Sequence, residues 1–191
     1  MASKWPLVDA DSSSAVKAAK LYIATTGNKL NYFEVTTGLD AATVVHATSD
    51  TTGTSVTAVD DTNIFYAATH GLSATDRVFF EATTIPTGLT AGTVYYVINA
   101  TVDTFQVSTT SGGSAAAFTS AGDTVKVYPA PTQHNGDILV VKFAKSDTSD
   151  RTVTFKGGFN TDDPTVTAAT ATTTTVLFVY DETSLKFNRI Q

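Results

Sequence analysis

Short runs in which apolar and polar residues alternate recur along this chain, separated by glycine, proline, asparagine and aspartate. A repeat of two is the signature of a half-buried strand, because successive side chains point to opposite faces. Leu21-Tyr22-Ile23 and Lys29 to Val35 flank Thr26-Gly27-Asn28, and the Gly-Asn turn signal predicts a hairpin. In the second arm Leu30, Tyr32 and Glu34 share one face, and Phe33 and Val35 share the other. Thr43 to His46 reads as a further short strand, and Asp50-Thr51-Thr52-Gly53 then breaks the pattern. Five or six strands are predicted next, over 55–59, 63–68, 77–82, 94–98, 104–108 and 124–128. Gly112-Gly113-Ser114 and the alanines after it read as a flexible turn with a weakly specified strand.

Pro129-Ala130-Pro131 is a stiff connector, since neither proline can donate to a strand ladder. Beyond it, Asn135-Gly136 accepts the positive φ angles of a tight turn. Ile138 to Phe143 and Val176 to Tyr180 are apolar on both faces, which predicts central strands. Val153 and Phe155 alternate with threonine and lysine as a one-sided strand, and Leu185 and Phe187 close the chain in the same way.

These elements predict an all-β protein. A jelly-roll-like β-sandwich or barrel is expected from residues 1–49 plus 132–191, interrupted by an inserted small β module at 50–131. The competing arrangement is two consecutive domains with a short N-terminal appendage. A helix of fewer than two turns over Ala15 to Lys20, capped by Ser12 to Ser14, is expected ahead of the first strand. Residues 1–14 have the composition of an extended arm. Trp5, Pro6 and Leu7 are its candidate partner-binding residues, because a terminal Trp beside Pro can anchor on a neighbouring surface. The same Trp5 could instead cover the core edge of its own domain.

Composition narrows the function more than the fold. Threonine makes up roughly a fifth of the 191 residues, far above ordinary usage. It is β-branched, and its hydroxyl wets a surface without adding charge. The net charge of −6, with dispersed Lys and Arg, argues against nucleic acid and anionic lipid as partners. With no cysteine there is no disulfide and no thiolate chemistry, which favours folding in a reducing cytosol. No apolar run approaches the roughly 20 residues of a membrane helix, and no apolar segment follows Lys4 as a secretory signal requires.

Candidate chemistry is sparse. His46, His70 and His134 stand far apart, each near a turn or strand end, so no metal site is expected; His70 beside Gly71 suits a hydrogen-bonding turn. Asp60-Asp61, Asp162-Asp163, Asp147 and Asp150 lack the spacing of a calcium loop and suit turns instead. Glu34, Glu81 and Glu182 are the only glutamates available to a glycosidase pair. No Gly-x-Ser-x-Gly elbow or phosphate loop occurs. Of the adjacent aromatics Phe79-Phe80 and Tyr95-Tyr96, one of each pair is expected to fill the core. No catalytic, cofactor-binding or metal-binding residue is assigned.

Thr69-His70-Gly71-Leu72-Ser73-Ala74-Thr75-Asp76-Arg77-Val78, then Leu89-Thr90-Ala91-Gly92-Thr93-Val94-Tyr95-Tyr96-Val97-Ile98, then Thr104-Phe105-Gln106-Val107-Ser108, resembles a β module recurrent in tailed-phage structural proteins. The likeness spans about residues 55–128. One departure is Thr75, where many members have glycine before the aspartate; another is the alanine-rich 115–117. Asp150 to Phe159 and Val176 to Ile190 look, more loosely, like strand repeats of phage decoration and fibre proteins. What the resemblance implies is a virion protein working through surfaces. Its first form is a capsid decoration (cement) protein, made in the host cytoplasm, bound to the major capsid protein on the outer head surface, and a homotrimer. A tail-fibre or receptor-binding module recognising host glycans, and a tail-tube or neck protein, are the alternatives.

Overall fold

A computed structural model describes residues 20–25, 29–35, 43–131, 133–143, 150–160, 165–168, 172–184 and 186–190. The strands are β1 (Lys20–Ala24), β2 (Leu30–Val35), β3 (Thr43–Thr48), β4 (Thr54–Ser55), β5 (Thr57–Val59), β6 (Ile64–Tyr66), β7 (Arg77–Glu81) and β8 (Val94–Ile98). They continue as β9 (Thr104–Ser108), β10 (Lys126–Pro129), β11 (Ile138–Phe143), β12 (Arg151–Phe155), β13 (Thr165–Ala168), β14 (Thr174–Asp181) and β15 (Lys186–Ile190). A single 3-10 turn, Asp60–Thr62, separates β5 from β6. The all-β class is therefore the observed one.

The chain divides into two compact units, Met1–Ala47 with Pro131–Gln191, and Thr48–Ala130. The first is a sandwich of two four-stranded sheets, ordered β1-β3-β12-β13 and β15-β14-β11-β2. Both sheets contribute to one core. Ile23, Val45, Val153 and Phe155 come from the first, and Phe33, Leu139, Val141, Phe143, Phe178 and Phe187 from the second. Its centre is aromatic: Phe178 meets Phe155 at 4.7 Å and Phe159 at 4.8 Å between ring centroids.

The turn residues of the expected hairpin, 26–28, lie outside the described residues, but the strands on either side of them do not pair with each other. β1 and β2 lie in different sheets; β2 runs parallel to β11, with Tyr32 opposite Val140, and β3 runs parallel to β12. The local turn signal is overridden by pairing with strands more than a hundred residues away, whose apolar faces complete the core. The short helix expected over Ala15 to Lys20 falls outside the described residues except at Lys20, which opens β1 instead. Trp5, Pro6 and Leu7 also lie outside the described residues.

The second unit is a small barrel. Its strand order is β4-β10-β7-β8-β9-β6-β5, and β4 and β5 are one run of chain broken only at Val56. The N-terminal half of that run pairs with β10 and the C-terminal half with β6, so the sheet closes on itself. At the break, the Val56 N–H still donates to the Val125 carbonyl at 3.0 Å. Closure leaves this sheet without the open edges of a flat one. Inward positions alternate as the sequence pattern requires, with Phe105 and Val107 buried and Gln106 half-buried between them. Phe65 is the hub, stacked on Phe80 at 4.6 Å and near Phe105 and Phe118 at 5.3 and 5.0 Å.

Phe79 breaks the alternation. It is buried although it points away from Phe80, and it stacks on Tyr128 at 5.3 Å with ring planes 11° apart. Gly53 completes that contact. Its φ is +64°, and a Cβ there would meet the Tyr128 ring at 2.5 Å. The ends of the unit are tied together, since the Thr48 hydroxyl donates to the Pro129 carbonyl at 2.6 Å.

Candidate functional site

The polar side chains singled out by sequence serve the fold. His46 is fully buried on β3, and its Nδ1 accepts the Gly157 N–H at 3.0 Å, which ties the turn after β12 to β3. His70 also accepts through Nδ1, from the Leu72 N–H at 3.0 Å. That leaves the proton on Nε2, 3.3 Å from the Thr104 carbonyl, while the ring packs edge-on against Phe105. Asp76 holds the other end of the same loop by accepting the Ser73 N–H at 2.8 Å. The His-Gly-Leu-Ser-Ala-Thr-Asp segment is therefore a self-capped loop at one end of the barrel. Thr75 inside it has φ +77°, in the left-handed region that favours glycine.

His134 is exposed at the turn before β11, where its N–H donates to the Asp137 carboxylate at 2.8 Å. Asp60 and Asp61 form the 3-10 turn, whereas Asp147, Asp162 and Asp163 lie outside the described residues. Asp181 closes the β14–β15 turn, its carboxylate accepting the N–H groups of Thr183 at 3.0 Å and Ser184 at 3.1 Å. Hydrogen bonds from the Ser184 hydroxyl, then from the Thr183 backbone, hold this carboxyl below the usual aspartate range. Among the described residues, no three His, Asp or Glu side chains gather as a metal ion would require. Among the same residues, no helix is long and apolar enough to cross a membrane.

The feature that stands apart is a surface. In the β15-β14-β11-β2 sheet, the positions that alternate with the core form two adjoining rows. Strand register places Val179, Ile138 and Leu30 beside Asn188 in one row, and Ile190, Leu177, Val140 and Tyr32 in the next. Lys186 and Asp181 border the block at one end, and Thr175 and Lys142 at the other. Leu30, Leu177 and Ile190 are 38%, 41% and 46% exposed, and the rest are half-buried by their neighbours. Covering those three would contribute on the order of 1–2 kcal/mol each. On β12 and β13 the corresponding positions are Thr152, Thr154, Thr165 and Thr167, a surface that water satisfies.

The sequence signal for this block was present in the two-sided apolar runs at 138–143 and 176–180. Those strands are the inner pair of their sheet, but their second face is open rather than covered. On the barrel the exposed large apolar residues among those described are Tyr66 on β6 and Val102 in the turn after β8. Tyr66 is its one exposed large aromatic among the described residues, and Tyr96 is half-buried. The chain matches no family model, no curated protein and no solved structure.

Proposed function

We propose that the protein is a tailed-phage virion protein of the capsid decoration (cement) type. It acts by covering apolar surface on the major capsid protein at the outside of the head, as a homotrimer, and performs no catalysis. The observation that carries this reading is the open apolar block of β15-β14-β11-β2, on a chain whose other exposed strand positions are largely threonine. An exposed, ordered, uncharged patch of this kind marks an interaction surface. The likeness of residues 55–128 to a phage module supplies the class of particle. The arm with Trp5, Pro6 and Leu7 would add a second attachment, so that many copies each making modest contacts hold strongly together. The glycan-binding alternative needs exposed stacking aromatics on the barrel, and Tyr66 alone gives it little support.

The test is co-sedimentation of the purified protein with undecorated phage heads. Saturable binding, with heads that then survive heating better, is the expected result. Failure to co-sediment, together with binding to host cells or immobilised glycans, would move the assignment to a receptor-binding module. Deleting residues 1–14 separates the two attachments: undiminished binding removes the arm from the account.

A further inference from the structure

The turn that leads into β11 contains the chain's one Asn-Gly pair, Asn135-Gly136. The turn spans residues 134–137. The Asp137 N–H donates to the His134 carbonyl at 3.0 Å, and the Asp137 carboxylate accepts the His134 N–H at 2.8 Å. Of the two central residues only Gly136 has a positive φ, +86°, as in a type II turn. Both are exposed. The side-chain amides of Asn63, Asn99, Asn160 and Asn188 are held by hydrogen bonds of 2.7 to 2.9 Å. The Asn135 amide makes no such bond among the described residues, and a Cβ added to Gly136 would meet nothing within 4 Å.

An asparagine amide carbon can close a ring onto the nitrogen of the next residue, which is one reason asparagine is thermolabile. Glycine as that next residue has no Cβ to obstruct the approach. Here one bond restrains the pair: the Gly136 N–H donates to the Tyr180 carbonyl at 2.9 Å. We propose that Asn135-Gly136 is a self-modification site, at which Asn135 converts to aspartate and isoaspartate each time the Gly136–Tyr180 bond opens for long enough. The Gly136 nitrogen attacks Asn135 Cγ. A bond forms between them, the Cγ–Nδ2 bond breaks, and the Gly136 proton leaves with the amide as ammonia. Water then opens the cyclic imide. Cleavage between the Gly136 nitrogen and Cγ gives aspartate. Cleavage between that nitrogen and the Asn135 backbone carbonyl carbon gives isoaspartate, with the main chain routed through the side chain. Neither step needs a cofactor or an oxidant. The first product adds negative charge to a chain of net charge −6. The second lengthens the backbone just before β11, where Ile138 pairs with Val179 and Leu30. This assignment stands independently of the virion reading.

Incubation of the full-length protein at mildly alkaline pH, followed by peptide mass spectrometry, tests it. Conversion to the acid is expected in the tryptic peptide 127–142, whose one asparagine is Asn135, ahead of conversion at any other asparagine. Enzymatic methylation of isoaspartate should label the same peptide, and Asn135→Gln should lose both signals. Conversion in the folded protein should be roughly fivefold or more slower than in urea, the scale of one net hydrogen bond. The slowing should match the factor by which the Gly136 amide is protected from hydrogen exchange. The Tyr180 N–H donates to the Asp137 carbonyl at 2.8 Å, and it should lose exchange protection as isoaspartate accumulates. No conversion at Asn135 over many half-lives of the unfolded chain's reaction, faster conversion at another asparagine, or equal rates with and without urea would overturn the assignment.

Discussion

The barrel and the sandwich solve the same problem differently. Both are built from short, threonine-rich strands around a phenylalanine cluster, and their buried clusters share no residue. The barrel closes its sheet through Val56, caps its end loop with His70 and Asp76, and among the described residues exposes the large apolar side chains of Tyr66 and Val102, with no row of them. The sandwich has sheet edges and a block of Leu, Ile and Val facing outward. A unit that satisfies its own surface is suited to be a scaffold or spacer. A unit that leaves an ordered apolar face open is suited to bind, and the proposed binding role therefore falls to the sandwich.

Core truncation should break this comparison most visibly. Phe65→Ala removes the hub of the barrel and should cost it about 3–5 kcal/mol. Hydrogen exchange is expected to speed up at β8 and β9 and to stay slow at β11 and β14. Phe178→Ala should produce the reverse pattern at similar cost. Acceleration across all fifteen strands in either variant would mean that the two cores are not separate cooperative units.

A smaller effect, of opposite sign, is expected at the self-capped loop at one end of the barrel. Thr75 is β-branched and holds φ +77°. Thr75→Gly relieves that strain but loosens the unfolded chain, for a net stabilisation of about 1 kcal/mol. For a unit of this size the melting temperature should rise by about 4–8 °C. A fall would show that the Thr75 side chain contributes more than its backbone costs.

The smallest effect belongs to the sandwich turn at Asp181. Its carboxyl is held below the ordinary aspartate value, so its contribution is complete above about pH 3.9. It is lost as pH falls from there through the lowered folded value. Asp181→Asn should remove this part of the acid response, read as exchange rates at Thr183 and Ser184, by lowering protection there at neutral pH, where the carboxylate's contribution is complete, towards the value the wild type shows in acid. An unaltered acid profile would exclude Asp181 as its source.

How much of this was legible depends on how far the deciding contact lies along the chain. Barrel strands such as β8 and β9 follow from period-two runs like Phe105 and Val107, which are one-sided and pair with a neighbour in sequence. Phe118 was not legible. It stands alone after three alanines, and it reaches the barrel core because its N–H donates to Asn63 Oδ1 at 2.8 Å. β13 was missed because Thr165-Val166-Thr167-Ala168 has little apolar contrast and becomes a strand only by pairing with β12. The Gly27-Asn28 hairpin failed because a turn signal carries no information about distant parallel partners. The apolar block is visible as residues, and its two-sided pattern predicts burial on both faces. Sequence pattern shows that a face is apolar, and it cannot show whether the fold covers that face.

Two matched substitutions in the full-length protein test the division of roles most directly. Leu177 and Tyr66 are exposed to similar extents, one on the sandwich block and one on the barrel. Co-sedimentation with undecorated heads should be lost in Leu177→Asp and retained in Tyr66→Asp, with both proteins folded. Retention in Leu177→Asp and loss in Tyr66→Asp would contradict the account, because binding would then belong to the barrel.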